Sequence, residues 1–266
     1  MKILLALFCL SFSSLAYYGE DSRIDFFQLT SSAEKNLARA VAFRLDKHEL
    51  RGWTFQRYWK IVSKPFSERN VCEGEKFSSQ QTIRRGCSAV LISPKHLLTA
   101  GNCTRQHYCY NDLFYWMFNH HLEEEGVFPE KRHKNNFYKC EKVVKDAYDP
   151  EAGVSFSLLE LEEEVEGITP VKIAEHDFIP EEDELITMGH TRGLPLKISK
   201  GAKALDQNSD FFLINSDIAA STRGAAIFNK RTHELEGILI HGTPNYTNNG
   251  SCLESVALQD SYGGEV

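Results

Sequence analysis

Apolar residues in this chain gather in short runs closed off by polar and turn-forming residues, a pattern of strands rather than of long amphipathic helices. The runs at 40–45, 88–92, 96–99, 113–118, 137–144 and 154–161 predict one set of strands. Those at 171–174, 185–190, 197–204, 211–214, 226–228 and 235–241 predict a second set. Ser93-Pro94-Lys95, between two of the runs, reads as a hairpin turn. Ser31-Ser32-Ala33-Glu34 has the spacing of a capping box and predicts a short helical turn. Residues 46–66 carry Trp53, Phe55, Tyr58 and Trp59 without a clean period, so the pattern leaves their pairing open. Residues 119–136 read as a charged loop, and the acidic run 160–166 as a solvated linker between the strand sets. Many short strands with frequent turn signals make the class all-β, built as two barrels with few short helices.

Composition adds a compartment to this picture. Residues 1–16 hold Lys2, an apolar run over 3–10 and a Ser-rich stretch ending at Ala16, the layout of a secretory signal peptide too short to span a bilayer. Lys2 is the only charge in that leader, so cleavage takes the net charge from −7 to −8. That acidic balance argues against nucleic-acid binding, which needs a basic stripe, and no second apolar run approaches transmembrane length. The expectation is a secreted or periplasmic monomer. Six cysteines remain: Cys72, Cys87, Cys103, Cys109, Cys140 and Cys252. An even count in an exported chain favours disulfides. Folding the 88–99 hairpin brings Cys87 and Cys103 toward bonding distance. Cys109–Cys140 joins the ends of one loop-rich excursion and Cys72–Cys252 follows only by elimination, so the connectivity of these four stays open. There is no Cys-x-x-Cys pair, and His120-His121 with the run Glu123 to Glu125 lacks the partners that would fix a metal geometry. No metal and no cofactor is expected.

The residues from Cys87 to Cys103 read Cys-Ser-Ala-Val-Leu-Ile-Ser-Pro-Lys-His-Leu-Leu-Thr-Ala-Gly-Asn-Cys. This resembles the segment of chymotrypsin-like serine proteases that delivers the catalytic histidine and ends Leu-Thr-Ala-(Ala/Gly)-His-Cys. The approach from Cys72, the stretch Tyr18 to Arg23, the stretch Met188 to Ile198 and the block Phe211 to Gly242 extend the likeness to secreted bacterial trypsin-like peptidases near the glutamyl endopeptidases. The resemblance implies one trypsin-like domain over residues 17–266, a double six-stranded β-barrel. The N-terminal barrel would span about 37–161 and the C-terminal barrel about 168–266.

It also implies a triad in the order His, Asp, Ser, and each position is substituted. Asn102 stands where the histidine belongs, and an amide has no titrating nitrogen to serve as general base. The run Val154 to Leu161 resembles the family's acid-bearing strand, with Ser155 in the aspartate position. The block Asp217 to Phe228, anchored on Asp217, Gly224 and Phe228, puts Arg223 in the nucleophile position. Ser221 takes the place of the glycine whose N–H faces the oxyanion, where a Cβ is unfavourable. His96 lies six residues back along its strand, roughly 20 Å from position 102.

The function expected is that of a catalytically inactive serine protease homologue, a protein-binding or regulatory module. Its partner would be a protein or peptide, such as an inhibitor or substrate of an active relative. Arg223 and His241 are the candidate binding residues: an arginine in a cleft takes a carboxylate bidentately, although a long cationic side chain also reaches solvent readily. Two other readings are weighed. One is an active endopeptidase with relocated residues, Ser221 with His107, which requires hydrogen-bond reach between them. The other is a surface or adhesion protein using the barrel exterior.

Overall fold

The computed structural model describes residues 21–52, 55–84, 86–104, 109, 113–149, 153–208, 210–218, 222–242 and 246–256, with the backbone of 264 and 265. The proposed leader, His107 and Ser221 lie outside the described residues. The fold is all-β. Its larger sheet has seven antiparallel strands in the order Phe137–Tyr138, Phe114–Met117, Val41–Asp46, Ser88–Ser93, His96–Thr99, Val154–Leu161, Cys140–Asp149. A second sheet has five, in the order Ile24–Asp25, Lys197–Ala202, Leu185–Gly189, Ala226–Asn229, Leu235–Ile238. The chain leaves this sheet at Lys203, whose amide donates to Asn215 Oδ1 (2.6 Å). A small sheet then starts with Ala204–Gln207 and Phe212–Ile214.

The hairpin at 88–99 forms as expected, with Val90 opposite Leu98. Along Val154–Leu161 residues alternate between buried and half-buried, as a one-sided strand requires. Leu159 and Leu161 fill the core, while Ser157 and Ser155 continue the same inward face toward the other end. Ser31 caps a helix, Ser32–Arg39, by accepting from Glu34 N (3.3 Å), and this helix is longer than a single turn. The Glu34 carboxylate points elsewhere, to Lys200 Nζ at 2.6 Å.

Four expectations need correction. The run 197–204 is not one strand but divides at Lys203 between Lys197–Ala202 and Ala204–Gln207, which belong to different sheets. Residues 171–174 form no strand but a single bridge from Ile173 to Leu235. Their backbone is divided between elements: Val171 N donates to Leu91 O, and Ala174 N to Leu235 O. The charged loop 119–136 contains a strand, Lys131–His133, which pairs with Tyr58–Ile61 of the stretch left open. The run 137–144 is broken: Phe137–Tyr138 pairs with Phe114–Met117, whereas the strand from Cys140 pairs with Val154–Leu161.

One apolar cluster joins the two principal sheets, with Val41, Ala89, Leu97 and Leu159 packed in the same group as Met188, Ile198 and Phe228. All three cysteine pairs are disulfides, with Cα–Cα separations of 5.9 Å for Cys87–Cys103, 5.0 Å for Cys109–Cys140 and 5.1 Å for Cys72–Cys252. Such bonds persist in oxidising compartments. No helix among the described residues is long and apolar enough to cross a membrane.

Candidate functional site

The candidate site is built around the Cys87–Cys103 disulfide. Strand His96–Thr99 runs into a short 3-10 turn, Gly101–Cys103, which carries Asn102. Register brings the neighbouring strand alongside: Ser157 lies opposite Thr99, which puts Ser155 level with the turn. Ser155 Oγ accepts from Gly101 N at 3.1 Å, and the Thr104 and Ser157 hydroxyls meet at 2.6 Å. From the other sheet, Arg223 O accepts from Ser88 N (2.8 Å) and lies 3.9 Å from Cys103 Sγ. Asn102, Ser155 and Arg223, far apart in the chain, therefore belong to segments in contact.

Backbone geometry fixes the third segment. Gly224 has φ +79°, and a Cβ there would fall 2.0 Å from Ser88 O and 2.5 Å from Thr99 Oγ1, so only glycine fits. Its N–H donates to Leu239 O at 2.7 Å, which sets Arg223 beside the chain leading to His241. Strand Leu235–Ile238 ends before His241, and both Arg223 and His241 are exposed. Thr222 is buried, its hydroxyl 3.0 Å from that of Thr191. Ser155 is buried as well, whereas Asn102 is half-exposed rather than enclosed beside its disulfide.

The chemistry of these groups is limited. Asn102 supplies an amide, Ser155 a neutral hydroxyl already accepting a backbone hydrogen bond, and Arg223 a cation open to solvent. Among the described residues the histidine side chain that meets a serine hydroxyl is His96, whose Nδ1 is 2.7 Å from Ser93 Oγ in the hairpin turn. That turn is at the opposite end of the strand from Asn102, since His96 pairs with Glu160. Asp146 and Asp149 sit on the outer strand, exposed. No group of three His, Cys, Asp or Glu side chains fit to hold a metal occurs among the described residues. His121 instead stacks on Phe26 with centroids 3.8 Å apart, and its Nε2 meets Glu123 Oε1 at 2.8 Å.

Sequence reasoning missed a pair of enclosed imidazoles nearby. The His120 and His190 rings stack with centroids 5.4 Å apart, flanked by Phe43 and Phe128. Burial holds both rings neutral: His190 is lowered to about 3 and His120 well below its ordinary value. His190 reaches the site through its backbone, its amide donating to Ser88 Oγ at 2.9 Å. Nothing local in Met188-Gly189-His190 marks that burial, which comes from the packing of distant strands.

No protein-family model matches the chain, and no curated protein matches it in sequence. Solved structures do match its fold. A Glu endopeptidase in complex with MPD is similar at a TM-score of 0.52 and 10% identity, over 90% of this chain and 94% of that one. The VesB protease of Vibrio cholerae is similar at 0.53 and 11%, over 92% of this chain and 62% of that one. The likeness establishes an all-β, trypsin-like barrel fold.

Proposed function

We propose that this protein is an exported serine protease homologue without peptidase activity, acting as a protein- or peptide-binding module. One observation carries the reading: the three segments that would bear a triad are in contact around the Cys87–Cys103 disulfide, and they present Asn102, Ser155 and Arg223. A serine protease needs a hydroxyl, an imidazole and a carboxylate in hydrogen-bond sequence. An amide cannot take the proton, a neutral serine hydroxyl cannot offset the charge of an imidazolium, and a guanidinium cannot attack a carbonyl. The fold and its disulfides fit an exported protein, with residues 1–16 as the leader and 17–266 as one domain of two barrels.

The test is incubation of the purified protein with a fluorophosphonate probe and with casein. The expected outcome is no covalent labelling and no cleavage. Labelling or cleavage that disappears when a cleft residue is replaced overturns the proposal.

A further inference from the structure

Outside the candidate site, arginines from three separate stretches converge on one cavity of about 340 Å³, lined by Phe66, Arg69, Ile83, Arg84 and Arg192. Arg69 ends the 3-10 turn Phe66–Arg69, and its Nε is buried with no hydrogen-bond partner among the described residues. Arg84 is exposed, and its amide is held by Glu49 Oε1 at 2.7 Å. Arg192 is in the left-handed region (φ 50°), its guanidinium 4.5 Å from the centroid of the Tyr246 ring. Thr82 Oγ1 donates to Arg192 O at 2.8 Å, and Ile83 N to Gly193 O at 3.0 Å, so these stretches are locked to each other. The Cys72–Cys252 disulfide and the Val71–Leu253 bridge hold the same corner.

Among the described residues Arg69 forms no ion pair, while Arg84 lies within electrostatic reach of the buried Glu49 carboxylate that accepts from its amide. Three guanidinium groups line one cleft in a chain of net charge −7, and the Glu49 carboxylate beside Arg84 offsets only part of that local excess. Guanidinium forks match the oxygen spacing of tetrahedral oxyanions, and several forks around one cavity suit a dianion better than a single carboxylate. Phe66 and Ile83 give the cavity an apolar floor, and its volume falls near the lower end of small-ligand sites, roughly 300–1,000 Å³. From this we infer that the arginine cavity binds a phosphate or sulfate group, free or as a small ester whose organic part rests on Phe66 and Ile83.

Calorimetric titration of the full, disulfide-bonded protein with inorganic phosphate, inorganic sulfate, phenyl phosphate and neutral phenol tests this. Phenyl phosphate is expected to bind and phenol not. If the inorganic ions bind as tightly as phenyl phosphate, the ligand is the free anion; if they bind more weakly, it is the ester. Both results support the site. Arg84→Gln should weaken phenyl phosphate by about tenfold or more, the loss of one charge-assisted hydrogen bond. The pair Arg69→Gln with Arg84→Gln should abolish binding. Arg84 is exposed, so its single variant keeps the test decisive if the double variant does not fold. Absence of binding at millimolar ligand overturns the inference, as does affinity unchanged by Arg84→Gln. So does binding of a glutamate-rich peptide in preference to every phosphate and sulfate probe. Because the fluorophosphonate assay does not involve this cavity, failure here leaves the proposed loss of peptidase activity standing.

Discussion

His120 and His190 show what a single buried titratable residue does to this molecule. Each ring is fully enclosed and held neutral by the loss of water around it. The unfolded chain binds a proton on each below about pH 6.5. Because the folded values are depressed, stability is complete above that pH and falls as acid is added. For His190, lowered to about 3, the loss between pH 7 and pH 5 is on the order of 2 kcal/mol, and His120 acts in the same direction. Urea unfolding at the two pH values should show the drop. His120→Phe, which keeps an aromatic ring against Phe43 and Phe128, should reduce it. A stability unchanged between pH 7 and pH 5 would contradict the assignment. Residue-scale chemistry of this kind was hard to foresee: motifs single out Asn102, Ser155 and Arg223 as candidates, but the two imidazoles became a pair only through packing.

At the scale of elements, the amino-terminal strand Ile24–Asp25 is tied to strand Lys197–Ala202 by more than its ladder. Lys197 is wholly buried, and its Nζ donates to Asp25 Oδ1 (2.5 Å) and Gln80 Oε1 (2.8 Å), over the ring of Phe77 at 4.5 Å. Burial lowers Lys197 to about 8, with Asp25 opposing the shift. Asp25→Asn leaves that ammonium without its counter-charge and should cost about 3–5 kcal/mol, read as a lower denaturant midpoint. A change under about 1 kcal/mol would mean that Gln80 and water suffice. Elements with local signals were legible: the 88–99 hairpin from its turn residues, the helix from Ser31 and Glu34. Those set by distant partners were not. Lys131–His133 is polar and becomes a strand only because Tyr58–Ile61 lies beside it. Residues 171–174 have a strand-like composition, yet their amides are used to join Leu91 and Leu235.

For the whole molecule, long-range ties dominate. Cys72–Cys252 closes 180 residues, and Ser22 N reaches Asp217 Oδ2 across 195 at 2.7 Å. Replacing Cys72 and Cys252 with serine should lower stability by about 2–5 kcal/mol, since the unfolded chain gains the most freedom when a long loop is released. Guanidinium denaturation of oxidised wild type and double variant measures it, and equal midpoints would show the bridge to be idle. The even cysteine count pointed to such staples, but only the folded path decided which distant pair closes.

The pairing of residues 24 and 25 with 198 and 197 has a temporal side. A polypeptide made from its amino end threads out its opening strand early, and that strand waits through most of synthesis for its neighbour. Any product halted before residue 197 emerges with that stitch unsewn, and an exposed, unpaired strand is a template for sticking to other chains.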